Sequence, residues 1–149
     1  MIIRVQTEDF DLSAVNRELM GERSDVGAIA SFIGLVRDLS GDPLETMTLE
    51  HYPGMTEKAL QTIADQACER WQVLDLAVIH RVGPLRPSDQ IVLVTVLSAH
   101  RGDAFDACQF IMDYLKTDAP FWKKETSGKG DNWVQSRDSD QAARAKWER

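Results

Sequence analysis

Positively charged side chains recur at the ends of the apolar segments of this 149-residue chain. Arg37 follows the apolar run 27–36, and His100 with Arg101 follows the run 91–99. Lys116 closes a helical stretch that begins near Asp103, and Lys123 and Lys124 follow the aromatic pair Phe121 and Trp122. A strand-to-helix junction offers unpaired backbone N–H groups and the positive end of a helix dipole, so it favours an anion. Two cations set at that junction, His100 and Arg101, sit where positive charge is mildly unfavourable, which points to an anionic ligand beside them. A lysine held against aromatic surface can have a lowered pKa, which suits acid–base or nucleophilic work. As a set, these side chains fit a small phosphate-bearing molecule. Each also has a plain structural reading. Arg37 then begins a solvated loop, His100 and Arg101 lie on the surface, Lys116 complements the negative end of its helix, and Lys123 and Lys124 form a solvated edge.

The other reactive residue types offer less. Cys68 and Cys108 have neither CxxC spacing nor a neighbouring histidine, so no zinc site, other metal site or disulfide framework is suggested. Both fall on apolar helix faces, where a thiol is expected to be buried and inert. His51 and His80 lie inside strand patterns and read as hydrogen-bonded framework. No phosphate-binding glycine loop, zincin helix or serine-hydrolase elbow occurs. With 17 Lys+Arg against 24 Asp+Glu the formal charge is −7, which argues against sequence-independent nucleic-acid binding but leaves room for a local basic pocket. An apolar share of 43% with 28% charged residues is ordinary for one globular domain able to bury a core unaided. The N-terminus lacks a signal-peptide core and no apolar run approaches a membrane span, so the cytoplasm is the expected location.

The elements that must position the cations are read from periodicity. Residues 2–7 alternate as a half-buried strand, and residues 11–20 form a short helix stopped by Gly21. The nearly continuous apolar run 27–36 suits a strand covered on both faces, with Gly34 marking a bulge or a close backbone approach. Residues 37–43 are loop, and 46–52 alternate again. A helix runs from about Thr56 to Trp71, with Leu60, Ile63, Ala64, Ala67 and Trp71 on one face. Strands at 76–82 and 91–99 flank a bent connection, and a second long helix spans about 103–117 until Pro120 stops it. After Phe121 and Trp122 come a glycine-containing loop and a tail over about 138–149. The class is α+β in a single domain over 1–149, with a mixed sheet and two long helices.

The stretch Thr48-Leu49-Glu50-His51-Tyr52-Pro53-Gly54-Met55-Thr56-Glu57-Lys58-Ala59-Leu60 resembles the central signature of the large, catalytic subunit of molybdopterin synthase. Ile79-His80-Arg81-Val82-Gly83, Ser98-Ala99-His100-Arg101 and the run from Phe110 through Asp118-Ala119-Pro120 to Glu125 are similar to the same family, in the same order. Gly34-Leu35-Val36-Arg37 fits its Gly-x-Val-Arg. The resemblance spans about residues 27–137.

It implies an α/β hammerhead fold and a homodimer that carries one small ubiquitin-like sulfur-carrier subunit per protomer, making a heterotetramer. The carrier's C-terminal Gly-Gly, activated as a thiocarboxylate, would deliver two sulfurs to cyclic pyranopterin monophosphate and form the dithiolene of molybdopterin. By motif position, Leu35, Val36, Arg37, His100 and Arg101 would hold the pterin and its phosphate. Lys116 and Lys123 would be catalytic, Lys124 and Glu125 would line the same site, and Arg137 would be a further anion-binding residue. No bound cofactor is implied. This chain ends Trp147-Glu148-Arg149 and carries no reactive-thiol signature, so under this reading the sulfur arrives on another molecule. Two alternatives are a non-catalytic scaffold that docks the carrier tail, and a nucleotide- or nucleic-acid-binding domain, which the charge and the missing phosphate loop disfavour.

Overall fold

A computed structural model describes residues 1–37, 44–127, 130–134 and 138–148. Two four-stranded sheets form, with helices packed on both faces of the first. That sheet has the order β1 (Ile2–Gln6), β4 (Asp75–Arg81), β6 (Gln90–Ser98), β2 (Ala28–Leu35). β1 runs parallel to β4, and the other pairs are antiparallel. The second sheet is wholly antiparallel, in the order β5 (Gly83–Leu85), β3 (Leu44–His51), β7 (Phe121–Ser127), β8 (Gly130–Val134). The helices are α1 (Leu12–Met20), α2 (Met55–Arg70), α3 (Arg101–Asp118) and α4 (Asp138–Ala145), followed by a 3-10 turn, Lys146–Glu148. None among the described residues is long and apolar enough to cross a membrane.

The central strands β4 and β6 are apolar at consecutive positions because both their faces are covered. Leu76, Val78, Val92, Val94 and Val96 face α2 and α3, joining Leu60, Ala64, Phe110 and Ile111 in the main core. The alternate residues Ala77, Ile79, Leu93 and Leu97 pack under Val15 and Leu19 of α1. Asp11 caps α1, its carboxylate accepting from Ser13 N at 2.9 Å. A third cluster, of Val36, Met47, Leu49, Val82 and Leu85, lies beneath the second sheet, and Phe121 packs against both it and the main core.

Several sequence expectations need correction. β2 is an edge strand rather than a doubly covered one, with Ile29, Phe32 and Leu35 at 43%, 44% and 53% exposure. Gly34 does mark a register shift, and a Cβ there would stand 2.9 Å from Val92 Cγ1. The bent connection after Val82 contains a short strand, β5. The segment expected as aromatic pair, loop and tail folds into the β7–β8 hairpin and α4.

The expected tail is anchored as well. The Trp147 ring meets Trp71 and Phe110 edge-on, and its Nε1–H donates to Asp113 Oδ2 at 2.6 Å. Arg70 donates to the Trp147 carbonyl at 2.6 Å, while Arg144 pairs with Asp118 at 2.9 Å and lies over the Tyr114 ring. The C-terminal segment thus clasps the second half of α3, the part that ends in Lys116. A Trp147→Ala change is expected to lower the unfolding free energy by about 2 kcal/mol in urea denaturation. An unchanged midpoint would contradict the clasp.

Candidate active site

Strand directions decide which cations share an end of the fold. β2 and β4 both run antiparallel to β6, pairing Leu35 with Gln90 and His80 with Val92, so the C-terminal ends of β2 and β4 lie beside the start of β6. Arg37, two residues beyond β2, is therefore at the same end of the first sheet as His80. The backbone before Arg37 is pinned there, Val36 N donating to Asp89 O at 2.9 Å and Ser88 N to Val36 O at 2.7 Å. Val36 is buried at 4% exposure in the third cluster, while Leu35 and Arg37 are exposed.

α3 starts at the far end of β6 and comes back, delivering Lys116 to the His80 end. The turn after α3 is fixed by Thr56, whose buried hydroxyl accepts from Tyr52 N and donates to Pro120 O, both at 3.1 Å. Phe121 then opens β7, and strand alternation puts Lys123 on the Phe121 face and Lys124 with Trp122 on the other. Trp122 packs against Tyr52 with ring centroids 4.5 Å apart. Glu125 stands in β7 opposite Met47, its side chain outside the described residues, as is Arg137 altogether.

His100 and Arg101 are elsewhere. His100 is the N-terminal flanking residue of α3 and makes no side-chain capping bond, while Asp103 in the first turn is engaged by Gln72 N at 3.2 Å. His100 and Arg101, both exposed, flank the first turn of α3. Arg101 and Lys116 are 15 positions apart on one helix, roughly 22 Å along its axis. Within one chain the strand directions place Arg37, Lys116 and Lys123 at one end of the first sheet. His100 and Arg101 form a second cationic group at the opposite end.

The lysine end contains a residue that sequence reasoning took for plain framework. His80 is the last member of the inward stripe Leu76, Val78, His80, and it is buried at 6% exposure. Its ring stacks on Phe121, centroids 3.8 Å apart and planes inclined by 18°. Nδ1 lies 2.8 Å from the Arg81 carbonyl. A carbonyl only accepts, so Nδ1 carries the proton and, in the neutral ring, Nε2 keeps its lone pair. Burial pushes the His80 pKa from 6.5 down to about 4, outweighing the Arg81 carbonyl, which favours the charged form; the charges of Lys116, Lys123 and His51 depress it further. The signal available in sequence was a polar ring ending an apolar period-2 stripe.

The cysteines separate on inspection. Cys108 is buried on α3, and desolvation pushes its thiol up to about 11. Cys68 is exposed, contrary to expectation, because Ala64 and Ala67 take the inward positions of α2. Its pKa is raised by desolvation and by the Asp65 and Asp75 carboxylates. Neither thiol is activated as a nucleophile.

The described residues form an α+β fold of two sheets, with Lys116 and Lys123 near the joint between them and His100 with Arg101 at a helix start, the architecture of one protein family. The chain belongs to the MoaE family, the catalytic subunits of molybdopterin synthase, whose family model, described as MoaE protein, matches residues 5–118. A curated relative from Ralstonia nicotianae, named molybdopterin synthase catalytic subunit, is 60% identical over 146 residues, covering 97% of this chain and 83% of the relative. The solved molybdopterin biosynthesis MoaE protein from Burkholderia ambifaria MC40-6 superposes with a TM-score of 0.86 at 55% identity, over 99% of this chain and 98% of that one. Molybdopterin synthase from Staphylococcus aureus superposes at 0.81 with 34% identity, over 88% and 95%.

The buried imidazole sets a pH dependence of stability. Its folded pKa lies below the free value, so between pH 6.5 and about 4 the unfolded chain binds a proton that the folded chain does not. That contribution is complete above pH 6.5 and is lost as the pH falls towards 4. Between pH 7 and 4, wild type is expected to lose about 3 kcal/mol more unfolding free energy than His80→Phe, by urea titration at each pH. Equal losses would show that His80 charges freely in the folded protein.

Proposed function

We propose that this chain, as the catalytic subunit of a molybdopterin synthase, is a cytoplasmic sulfurtransferase. It moves two sulfurs from the thiocarboxylated Gly-Gly end of a small ubiquitin-like carrier subunit to cyclic pyranopterin monophosphate, giving the molybdopterin dithiolene. The observation that carries this reading is the lysine pair at the α3–β7 turn, on the same end of the first sheet as Arg37. Both reactants are anionic, and such a group captures and orients anions. The chain's two unactivated thiols fit a reaction whose sulfur arrives on a partner.

In the proposed chemistry the thiocarboxylate sulfur displaces an oxygen substituent from a carbon of the pterin side chain, the C–O bond breaking with its electron pair as the C–S bond forms and the oxygen leaving protonated, so that carrier and pterin are joined through a thioester. Water then cleaves the acyl–sulfur bond, the carrier leaves as a carboxylate, and the sulfur stays on the pterin. A second carrier repeats the step. Lys116 serves as general acid–base or stabilises the tetrahedral intermediate, and Lys123 positions the thiocarboxylate. Arg37, with Leu35 and Val36 shaping its surroundings, takes the phosphate end, and Lys124, Glu125 and Arg137 complete the lining.

The 22 Å or so between Arg101 and Lys116 favours a homodimer in which His100 and Arg101 act across the interface. Support comes from β2, an open edge that exposes Ile29, Phe32 and Leu35, the kind of edge natural proteins cover. Antiparallel pairing of β2 with its two-fold mate would bring the Arg37 end of one protomer to the His100 end of the other. The cations separated in one chain would then meet between two, with one carrier on each protomer of the resulting heterotetramer.

With pre-thiocarboxylated carrier and purified pterin substrate, Lys116→Ala and Lys123→Ala are each expected to slow dithiolene formation by about 100-fold or more while still binding carrier. A wild-type rate for Lys116→Ala would overturn the assignment. Random mixing of a His100→Ala/Arg101→Ala protomer with a Lys116→Ala protomer is expected to restore about a quarter of wild-type activity, one intact site in half of the dimers. No recovery would place His100 and Arg101 outside a shared site.

A further inference from the structure

Lys116 and Lys123 are carried by different parts of the fold. Lys116 ends a helix packed on the first sheet, whereas Lys123 lies in a strand of the second. Their separation therefore depends on how the two sheets are joined. At that joint the last inward residue of β4, His80, lies flat against the first residue of β7, Phe121, and Phe121 packs into both the main core and the third cluster. The His80 ring cannot swivel freely, because Nδ1–H is held by the Arg81 carbonyl at 2.8 Å. The charged groups facing it are Lys116 from α3, Lys123 from β7 and His51 from β3.

We propose that His80 is a positioning residue for the two lysines: its ring, stacked on Phe121, fixes how far Lys116 on α3 stands from Lys123 on β7. The inference rests on the catalytic reading of those lysines and adds the element that sets their geometry. His80 itself touches neither reactant. A flat ring is required because Phe121, the first residue of β7, lies face to face with it at 3.8 Å, and a smaller side chain would let Phe121 drop and carry Lys123 with it. An uncharged ring is required because Lys116 and Lys123 both face it, and a positive charge there would repel them.

The test compares wild type, His80→Ala, His80→Phe and Lys116→Ala in dithiolene formation from pre-thiocarboxylated carrier, each rate normalised to folded protein by circular dichroism. His80→Ala is expected to lose kcat by about tenfold or more, with KM for both reactants within about twofold, since geometry and not binding is disturbed. His80→Phe, which keeps a ring on Phe121, is expected to recover kcat to within about threefold of wild type. A purely structural role would lower stability and leave kcat per folded molecule unchanged. Wild-type kcat in His80→Ala, or His80→Phe as impaired as His80→Ala, overturns the proposal. If His80→Ala does not fold, His80→Phe alone decides: recovered kcat supports the proposal and a loss of about tenfold overturns it. Wild-type activity in Lys116→Ala would instead sink the catalytic reading beneath it, so the two failures are told apart.

Discussion

Two sheets built around separate apolar clusters have to be joined, and here the joint is a pair of rings, His80 of β4 on Phe121 of β7, 3.8 Å apart. The elements around it converge on that contact. α2 begins with Thr56, whose hydroxyl holds the Pro120 carbonyl just before Phe121. α3 returns along the first sheet to end at Lys116, and the C-terminal clasp of Arg144 and Trp147 holds that end against the body. β3 pairs His51 with Phe121 and so carries the second sheet to the same point. Lys116 and Lys123, the side chains proposed as catalytic, face this joint.

Burying an ionisable ring beside two lysines has a cost, and the protein meets it by keeping the ring uncharged. One hydrogen bond to the Arg81 carbonyl satisfies Nδ1, and the nearby positive charges reinforce the neutral state that burial already favours. The chain's net charge of −7 is compatible with this local positive field, since the cations are concentrated at the ends of a few elements.

Much of the fold was legible because burial writes itself into periodicity. The apolar stretches of β4 and β6 announced strands covered twice, and the i, i+3/i+4 rows of α2 and α3 announced helices with one buried face. β2 looked the same as β6 in sequence, yet its outer residues are open. An apolar run says that a surface should be covered, without saying whether the cover is the same chain or another copy. The β7–β8 hairpin and α4 were missed because Lys123, Lys124 and the residues after them are largely polar, and a polar stretch carries a weak periodic signal. The cations were legible as residues at element ends. Which end of the sheet each occupies depends on strand direction, and this is why His100 and Arg101, adjacent to Lys116 through a single helix in sequence, stand at the far end from it in space. The role of His80 was hidden for a related reason, since a histidine in a strand becomes informative only when its stacking partner, 41 residues on, is known.

The claim on which the account depends is that His80 stays neutral, protonated on Nδ1, in the folded protein. It is tested most directly by recording the His80 ring nitrogens by long-range 1H–15N NMR from pH 8 down to the onset of acid unfolding. The account predicts one signal of an Nδ1-protonated neutral ring over that whole range, with charging only near pH 4. A His80 that titrates near pH 6.5, or a ring protonated on Nε2 instead, would contradict it.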